Sequence, residues 1–446
     1  MNKKSVVLYL HVHQPWRIRD DYSVFDIGAG QNYFREGAGL GAETNGEIFQ
    51  KVADKSYLPM NNLLEKLLRE YPDFNLSLSI SGTFIDQALK FAPHVIDSFK
   101  RLVDTGRVEL VAETYYHSLA FFFDQKEFEF QVKAHRDKIR EVFGVEATAF
   151  RNTELAYNDE LAAWADKQGF KAILAEGWDP ILQWRSPNHV YKPKGTDNIK
   201  LLLKNYKLSD DLAFRFSDPS WEEYPLTTHK YIQWLNTTTH HGDLINLFMD
   251  YETFGEHQWA DSGIFGFFDD FVHKWLSGKN HGFKTISEAA EAPAVGEISV
   301  PETTTWADTE RDLTAWLGNS MQKEAMKLLY GLKPLVYASK DGKLAEDWRR
   351  LQTSDHAYYM CTKYFNDGTV HAYFSPYKTP YDAFLYYMDA LRDMRYRLQH
   401  VEVAPRKNNI NDLSVIGSRL ALRKIPISAG SVHVGPFNRD KSLRMV

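Results

Sequence analysis

Two acidic residues stand where a carboxylate could do chemistry. Glu154 follows an apolar run, residues 147–150, and comes shortly after Arg151, whose charge would lower the pKa of a nearby carboxyl group. Asp250 ends the apolar run 243–249 among aromatic residues, whose low polarity would raise a carboxyl pKa toward that of a general acid. Two separated carboxyl groups of this kind are the minimum needed for glycoside hydrolysis. A carboxylate at the start of a helix remains an alternative for Glu154.

Two histidines share one face of a predicted strand. His11 and His13 follow the β-branched run 6–10, and alternate residues of a strand point to the same side. Such rings could bind a metal ion if a third ligand joined them, or they could hydrogen-bond a polar ligand without metal. We predict the second role and no metal. Glu113 and His117 follow a later strand-like run and are further candidates for a polar site.

The composition of the 446-residue chain excludes several classes of protein. A net charge of −6 does not favour binding to a phosphate backbone, so no nucleic-acid partner is predicted. Cys361 is the only cysteine, which excludes an internal disulfide and a thiolate metal cluster. Aromatic residues make up 14% of the chain, which suits flat, weakly polar ligands such as sugar rings. Glycine-rich nucleotide loops and a Gly-x-Ser-x-Gly elbow do not occur in the sequence.

The apolar runs of the chain are short. None approaches the ~20 residues that a membrane helix needs, so no membrane partner is predicted. The run near the N-terminus is also too short for the core of a signal peptide. We therefore expect a cytoplasmic protein.

Strand-like runs must position the candidate residues. They are residues 6–10, 75–81, 107–112, 147–150, 170–175, 199–203 and 243–249, mostly separated by segments of helical periodicity. Alternating strands and helices predict a parallel α/β fold, and the lack of a nucleotide loop favours a barrel. A parallel barrel gathers the residues that follow its strands at one end, so the candidates above would meet there.

The sequence changes character after Pro301. Residues 313–335, 344–351 and 384–398 have helical periodicity. We therefore predict a catalytic barrel over residues 1–300 and a mainly helical region over residues 301–446 that completes the mouth of the active site. The sequence makes no prediction of oligomeric state.

Three strings of residues make the chain resemble glycoside hydrolase family 57, specifically its α-amylase-like members. They are His11-Val12-His13-Gln14-Pro15, Arg151-Asn152-Thr153-Glu154-Leu155 and Met249-Asp250-Tyr251-Glu252-Thr253-Phe254-Gly255-Glu256-His257. The resemblance extends from about residue 7 to about residue 360. It implies an irregular parallel (β/α)7 barrel followed by a helical C-terminal region. It also implies a retaining mechanism on α-glucans, with Glu154 as nucleophile, Asp250 as acid/base, and neither cofactor nor metal.

The resemblance assigns further residues to sugar binding. Two later strings, residues 304–308 and 352–356, are similar to the last motifs of the family and would bring three side chains to the barrel mouth. Residues 81–87 fit the second motif, except that Glu is usual where Asp86 stands, which puts the role of that position in doubt. The predicted substrate-binding residues are His11, His13, Trp16, Asp86, Glu113, His117, Arg151, Glu252, Trp306, Asp355 and His356.

Other activities fit the same residues. A 4-α-glucanotransferase or another α-glycan transglycosylase would use the same carboxylates with a sugar hydroxyl as acceptor. A metal-dependent carbohydrate deacetylase would need His11 or His13 to bind Zn²⁺. A catalytically idle glycan-binding protein would bind sugar without turnover. Because both carboxylates are present, we predict an α-amylase-like hydrolase that cleaves α-1,4-glucosidic bonds in α-glucans or maltooligosaccharides.

Overall fold

The sheet of the protein is built from short parallel strands. The computed structural model describes residues 3–30, 32–36, 43–238, 242–363 and 375–400. The strands are β1 (Lys4–Val12), β2 (Leu76–Ile80), β3 (Val108–Leu110), β4 (Ala149–Phe150), β5 (Ala172–Glu176), β6 (Val190–Pro193), β7 (Lys200–Lys204), β8 (Leu244–Asp250), β9 (His281–Lys284) and β10 (Glu297–Ile298). Most of their residues are buried, as both faces of a covered parallel sheet require.

Seven of these strands surround one axis. β3, β2, β1 and β8 form one parallel run, and β4, β5 and β7 form another. Backbone hydrogen bonds join the two runs at both edges: the Ala112 N–H donates to Ala149 (2.9 Å), and the Asn205 N–H donates to Asn246 (2.9 Å). The predicted (β/α)7 barrel is therefore confirmed. Its strands are the seven runs that the sequence predicts.

Three strands lie outside this ring. β6 pairs antiparallel with β7, β10 pairs with β6, and β9 pairs with the first half of β1. The sequence analysis predicted none of them. β10 has two residues and β6 and β9 have four each, which is too short for a hydrophobic period to be recognised.

Helices cover the barrel and then continue beyond it. They are α1 (Asn45–Val52), α2 (Leu58–Glu70), α3 (Gly82–Phe91), α4 (Pro93–Val103), α5 (Gln125–Phe143), α6 (Asp159–Lys167), α7 (Asp179–Leu182), α8 (Tyr206–Ala213), α9 (Thr228–Thr238), α10 (Ile264–Ser277) and α11 (Ile286–Ala290). Side chains in the loops after the strands start several of them: Ser81, Asn158 and Asn205 each accept a hydrogen bond from a backbone N–H of the following helix. Such N-caps fix where each strand-end loop stops.

The predicted C-terminal helices are present in the described residues up to His400. They are α12 (Thr314–Leu317), α13 (Ser320–Gly331), α14 (Lys333–Ala338), α15 (Gly342–Arg350), α16 (Ser354–Tyr358) and α17 (Pro380–His400). They share a hydrophobic core with an early segment that contains Trp16 and Phe34. Residues 1–400 form one compact unit. Residues 401–446 of the predicted helical region lie outside the described residues, and the division at residue 300 stays a prediction.

The helices give no sign of a membrane span. In the described ranges, none combines the length and the apolar composition that crossing a bilayer requires. The cytoplasmic location stays a prediction from the sequence.

Candidate active site

A cavity of about 400 Å³ opens at the carboxyl ends of the barrel strands. This volume is within the range of small-ligand sites. Most of the predicted residues line it, together with side chains from the C-terminal helices. The lining includes His11, His13, His117, Glu154, Lys204, Asp210, Asp250, Glu252, Trp306, Arg311, Trp316, Asp355, Tyr358 and Tyr359. The strand ends and the helical region therefore both contribute to this cavity.

The turn that carries Glu154 has an unusual backbone. Glu154 lies in a short 3-10 turn after β4 with φ +60°, and the following Leu155 has φ +50°. His117, which faces Glu154 across the cavity, also has φ +50°. Side chains other than glycine rarely adopt this left-handed conformation, and it persists where surrounding contacts impose it. The surrounding structure therefore holds Glu154 and His117 in place.

Three donors surround the Glu154 carboxylate. His117 Nε2 lies 3.1 Å from Oε1, Ser354 Oγ donates to Oε1 (2.9 Å), and Trp306 Nε1 donates to Oε2 (2.9 Å). Burial works to raise the pKa of Glu154, but the hydrogen bond and charge of His117 and the charge of Arg151 outweigh it, so the pKa is lowered. Glu154 is therefore ionised, as its environment in the sequence predicts. His117 contributes more than the expected Arg151.

His117 bridges two carboxylates. Its Nδ1 lies 3.3 Å from Oε2 of Glu113, and its Nε2 faces Glu154. Ionised carboxylates only accept hydrogen bonds, so both ring nitrogens must carry a proton. Burial opposes this charge, but the hydrogen bonds to the two glutamates raise the pKa of His117 to about 9. The ring is an imidazolium beside Glu154 at neutral pH.

Asp250 differs from the sequence-based expectation of a raised pKa. Burial does work to raise it, but His11, whose Nδ1 lies 3.5 Å from Asp250 Oδ1, and the charges of His257 and Arg151 outweigh burial, so the pKa of Asp250 is lowered. The neighbouring Glu252 behaves in the opposite way: burial and the charge of Asp250 raise its pKa to about 8. Interacting carboxyl groups titrate as a pair, and this pair holds one proton at neutral pH.

Glu252 is fixed by hydrogen bonds from two other segments. The Tyr57 hydroxyl donates to its Oε1 (2.7 Å), and the backbone N–H of His13 donates to the same oxygen (3.2 Å). Glu252 itself lies in the turn directly after β8. The protonated carboxyl group of Glu252 is therefore held in a fixed position. It lines the same cavity as Asp250 and is close to it in the sequence.

The indole of Trp306 is held between cations. The guanidinium of Arg151 and the ammonium of Lys204 lie 5.2 and 5.5 Å from its ring centroid. Lys204 pairs with Asp210 (2.8 Å), and Arg311 lies 3.5 Å from both Asp210 and Glu176. Cation–π contacts of this kind stabilise an aromatic ring in one orientation. The cluster therefore directs the indole N–H toward Glu154.

Sequence reasoning missed most of that cluster. Lys204 ends β7 and lies at the strand end where functional side chains are expected, so it was detectable by the same rule that selected Glu154. Arg311 comes from the loop before α12 and carries no comparable signal. Glu176 is buried at the end of β5, and burial raises its pKa to about 7.

Two other predicted polar residues, His13 and Asp355, contact each other close to His117. His13 Nδ1 lies 2.7 Å from Ser81 Oγ, and His13 Nε2 lies 3.1 Å from Asp355 Oδ2. Burial and the nearby His117 lower the pKa of His13 to about 4, so this ring is neutral. It can hydrogen-bond sugar hydroxyls without adding positive charge.

Five predicted residues do not line the cavity. Trp16 is 1% exposed and packs against Phe34, Phe91 and Arg350 in the core of the C-terminal helices. Asp86 lies on α3 outside the cavity lining and accepts a hydrogen bond from the Tyr115 hydroxyl (2.8 Å).

The remaining three lie behind the cavity wall. His356 follows Asp355 on α16 but packs against Tyr387, because adjacent helical residues face different directions. Glu113 and Arg151 are fully buried beneath His11 and His117.

Two triads have side-chain atoms close enough to share a cation. In His11, Glu113 and His117, and in His13, His117 and Asp355, the potential ligand atoms lie within 4.8 Å of one another. The ring nitrogens of these histidines already face Glu113, Glu154, Asp250, Asp355 or Ser81. A metal ion would have to replace those contacts.

A parallel barrel whose strand ends bring two carboxylates into one cavity has the groups that glycoside hydrolysis needs. The sequence model of "Glycosyl hydrolase family 57" matches residues 7–301. The chain belongs to this family, and it is a glycoside hydrolase. The family predicted from the three sequence strings is confirmed.

Known relatives agree with this assignment. A Methanocaldococcus jannaschii protein named "Putative alpha-amylase" is 42% identical over 408 residues, which cover 89% of this chain and 85% of that protein. A branching enzyme of this family from Thermococcus kodakaraensis has a similar fold, with a TM-score of 0.64 at 12% identity over 90% of this chain and 92% of that one. The α-amylase AmyC from Thermotoga maritima gives 0.59 at 12% identity over 90% and 94%.

Proposed function

We propose that this protein is a retaining hydrolase of α-glucans, most like an α-amylase that cleaves α-1,4-glucosidic bonds. The observation that carries the proposal is the placement of an ionised Glu154, held by three donors, in one cavity with Asp250. The similarity over most of the chain to a relative named as an alpha-amylase supports the substrate class.

In the first step, Glu154 attacks the anomeric carbon. The new bond between a Glu154 oxygen and this carbon forms as the glycosidic C–O bond breaks, and Asp250 gives a proton to the leaving sugar oxygen. Asp250 must carry a proton when this step begins. The product is a covalent glycosyl-enzyme and a shortened glucan.

In the second step, Asp250 acts as a base. It takes a proton from water as the water oxygen bonds to the anomeric carbon, and the bond to Glu154 breaks with its electron pair returning to the carboxylate. The imidazolium of His117 and the indole N–H of Trp306 stabilise the charge that returns to Glu154. Two inversions give net retention.

The remaining polar residues of the cavity hold the sugar. We assign His13, Glu252 and Asp355 to hydrogen bonds with hydroxyl groups, because each lines the cavity with a polar atom. Trp306, which is only partly buried, offers aromatic surface for a sugar face.

Transfer to a second sugar is the second candidate activity. The cavity wall that α16 supplies carries the partly buried Tyr358, which is suited to hold an acceptor sugar in place of water. The same two carboxylates serve both reactions, so the outcome depends on competition between water and the acceptor.

Product analysis tests the proposal. The enzyme is incubated with maltoheptaose and with glycogen, and the first product anomer is followed by NMR. We expect shorter maltooligosaccharides, new reducing ends and an initial α-anomer, with activity unchanged by EDTA. Longer chains without new reducing ends would establish transfer instead. An initial β-anomer would exclude retention, and loss of activity on chelation with recovery on Zn²⁺ would support the metal-dependent alternative.

A further inference from the structure

The buried carboxylate of Glu113 contacts the supports of both catalytic carboxylates. Glu113 is 0% exposed, and its Oε2 atom lies 3.2 Å from His11 Nε2, 3.3 Å from His117 Nδ1 and 3.4 Å from Arg151 NH1. The other ring nitrogen of His11 faces Asp250, and that of His117 faces Glu154. The Oε2 atom of Glu113 therefore links two series of contacts. One runs through His11 to Asp250, and the other runs through His117 to Glu154.

We propose that Glu113 is a positioning residue for the reaction, which fixes the rings of His11 and His117 in the orientations that reach Asp250 and Glu154. The proposal rests on the catalytic roles assigned above. It replaces the substrate-binding role that the sequence suggested for Glu113, because a side chain beneath the two rings has no access to sugar.

The contacts of Glu113 indicate that its charge serves the site rather than the fold. Its second oxygen, Oε1, has no hydrogen-bond partner among the described residues, so the three donors at Oε2 account for the contacts of the carboxylate. An ionised carboxylate buried without a purpose would cost free energy. Here two imidazole rings and a guanidinium offset that cost.

The surroundings explain how the charge of Glu113 acts. From β1, Tyr9 and His11 face it, Arg151 approaches from the end of β4, and His135 of α5 accepts a hydrogen bond from its backbone N–H (3.2 Å). Within its own loop, His117 lies against it. Burial and the charge of His11 lower the pKa of His135, whereas the charge of Glu113 works to raise it. The net pKa is lowered, so the His135 ring stays neutral.

His117 is in turn surrounded by groups of both signs. Its ring centroid lies 4.8 Å from that of His11 and 4.1 Å from that of His13, and Glu154 faces its Nε2. Arg151 opposes its positive charge, whereas the two glutamates favour it. When Glu154 becomes an ester in the covalent intermediate, Glu113 is the glutamate that still holds the proton on His117. The imidazolium is then present when the Glu154 carboxylate leaves.

The test compares three variants of the full chain. Glu113→Gln keeps the shape of the side chain and removes its charge, Glu113→Asp keeps the charge but withdraws the oxygen by about one methylene, and Glu127→Gln is a matched control. Glu127 is also fully buried, with an arginine partner in Arg349, but it lies outside the cavity. The pH dependence of kcat and kcat/KM is measured with 4-nitrophenyl α-maltoside, and folding is followed by thermal unfolding.

We expect Glu113→Gln to lower kcat by roughly 10²-fold, within the range of misplaced acid–base groups. The acid limb of kcat/KM should move to higher pH, because without the imidazolium Glu154 takes up a proton more readily. Glu113→Asp should lower kcat less and leave the acid limb where it is. Glu127→Gln should change the unfolding temperature but neither kinetic limb.

A folded Glu113→Gln variant with an unchanged acid limb would overturn the inference. If that variant does not fold, the Glu113→Asp variant provides the test. Full kcat at every pH in that variant would also overturn the inference. Failure of the proposed function gives a different result, since then Glu154→Gln would remain active or the unmodified enzyme would not release nitrophenol.

Discussion

The two carboxylates that face the cavity have opposite kinds of surroundings. Glu154 is enclosed by donors, from an imidazolium, an indole and a hydroxyl. Asp250 has a second carboxyl group nearby, Glu252, whose pKa is raised to about 8 by burial and by the charge of Asp250. The surroundings of Glu154 stabilise its negative charge. The surroundings of Asp250 include a carboxyl group, that of Glu252, which keeps a proton at neutral pH. A nucleophile and a proton donor need these two different environments.

Removal of the fixed charge gives the largest expected effect. Glu154→Gln abolishes the nucleophile, and we expect kcat to fall by at least about 10⁴-fold, as when covalent enzymes lose theirs. The loss should be similar for a glucan and for a nitrophenyl glycoside, since both need the covalent bond. Turnover is measured with each substrate, and trapping with a fluorinated sugar followed by mass spectrometry should show no adduct. An adduct on this variant would place the nucleophile elsewhere.

Removal of the proton donor should be more selective. Asp250→Asn leaves Glu154 in place, so cleavage of a glucan should fall by roughly 10²–10⁴-fold, the usual contribution of acid–base help. A nitrophenyl glycoside, whose leaving group needs no proton, should give a burst and then slow turnover. Azide should restore the rate and give the α-glycosyl azide, because it attacks without a base. A β-azide, or no rescue, would mean that the role of Asp250 is different.

The smallest effect concerns stability and tests the stored proton. Glu252 has a folded-state pKa of about 8 against an ordinary value of 4.5. Between these values the unfolded chain releases a proton that the folded chain keeps, so stability falls as pH rises from about 4.5 to 8. Glu252→Gln removes this dependence, and its unfolding temperature should fall less than that of the parent from pH 5 to 8.

Calorimetry across that pH range checks this prediction. His117, whose raised pKa gives stability that is lost between about pH 6.5 and 9, is present in both proteins and cancels in the difference. Replacement of the exposed Glu297 with Gln serves as a control and should follow the parent. Parallel curves for the parent and Glu252→Gln would show that the proton is not held there.

The barrel was predictable because its strands are buried on both faces. Such strands are continuous apolar runs, so residues 243–249 or 199–203 stand out from their neighbours. Residues at their ends, among them Asp250, were then predictable as cavity residues. β6 and β9 were not, because four residues carry no period.

Contacts between distant segments limited the prediction of the site. The sequence cannot tell that Trp16 packs into a core whereas Trp306 reaches the cavity, since the residue type is the same at both positions. Nor can it tell that Glu113 is buried behind His11 and His117 and does not line the cavity. The pKa of Asp250 depends on His11, which is 239 positions away in the sequence and enters only through the pairing of β1 with β8.

The strand-like contact between the Glu154 turn and the segment before α12 limits how the chain can be divided. Tyr157 and Thr304 exchange both backbone hydrogen bonds (2.9 Å each), and the Trp306 N–H donates to the carbonyl of Glu154 (3.2 Å). The match to the family model ends at residue 301, just before these contacts. A chimera joined at that boundary would therefore exchange the indole and the backbone partners of the nucleophile turn together with the helices. For protein engineering, the exchangeable module is the barrel with residues 302–312 attached.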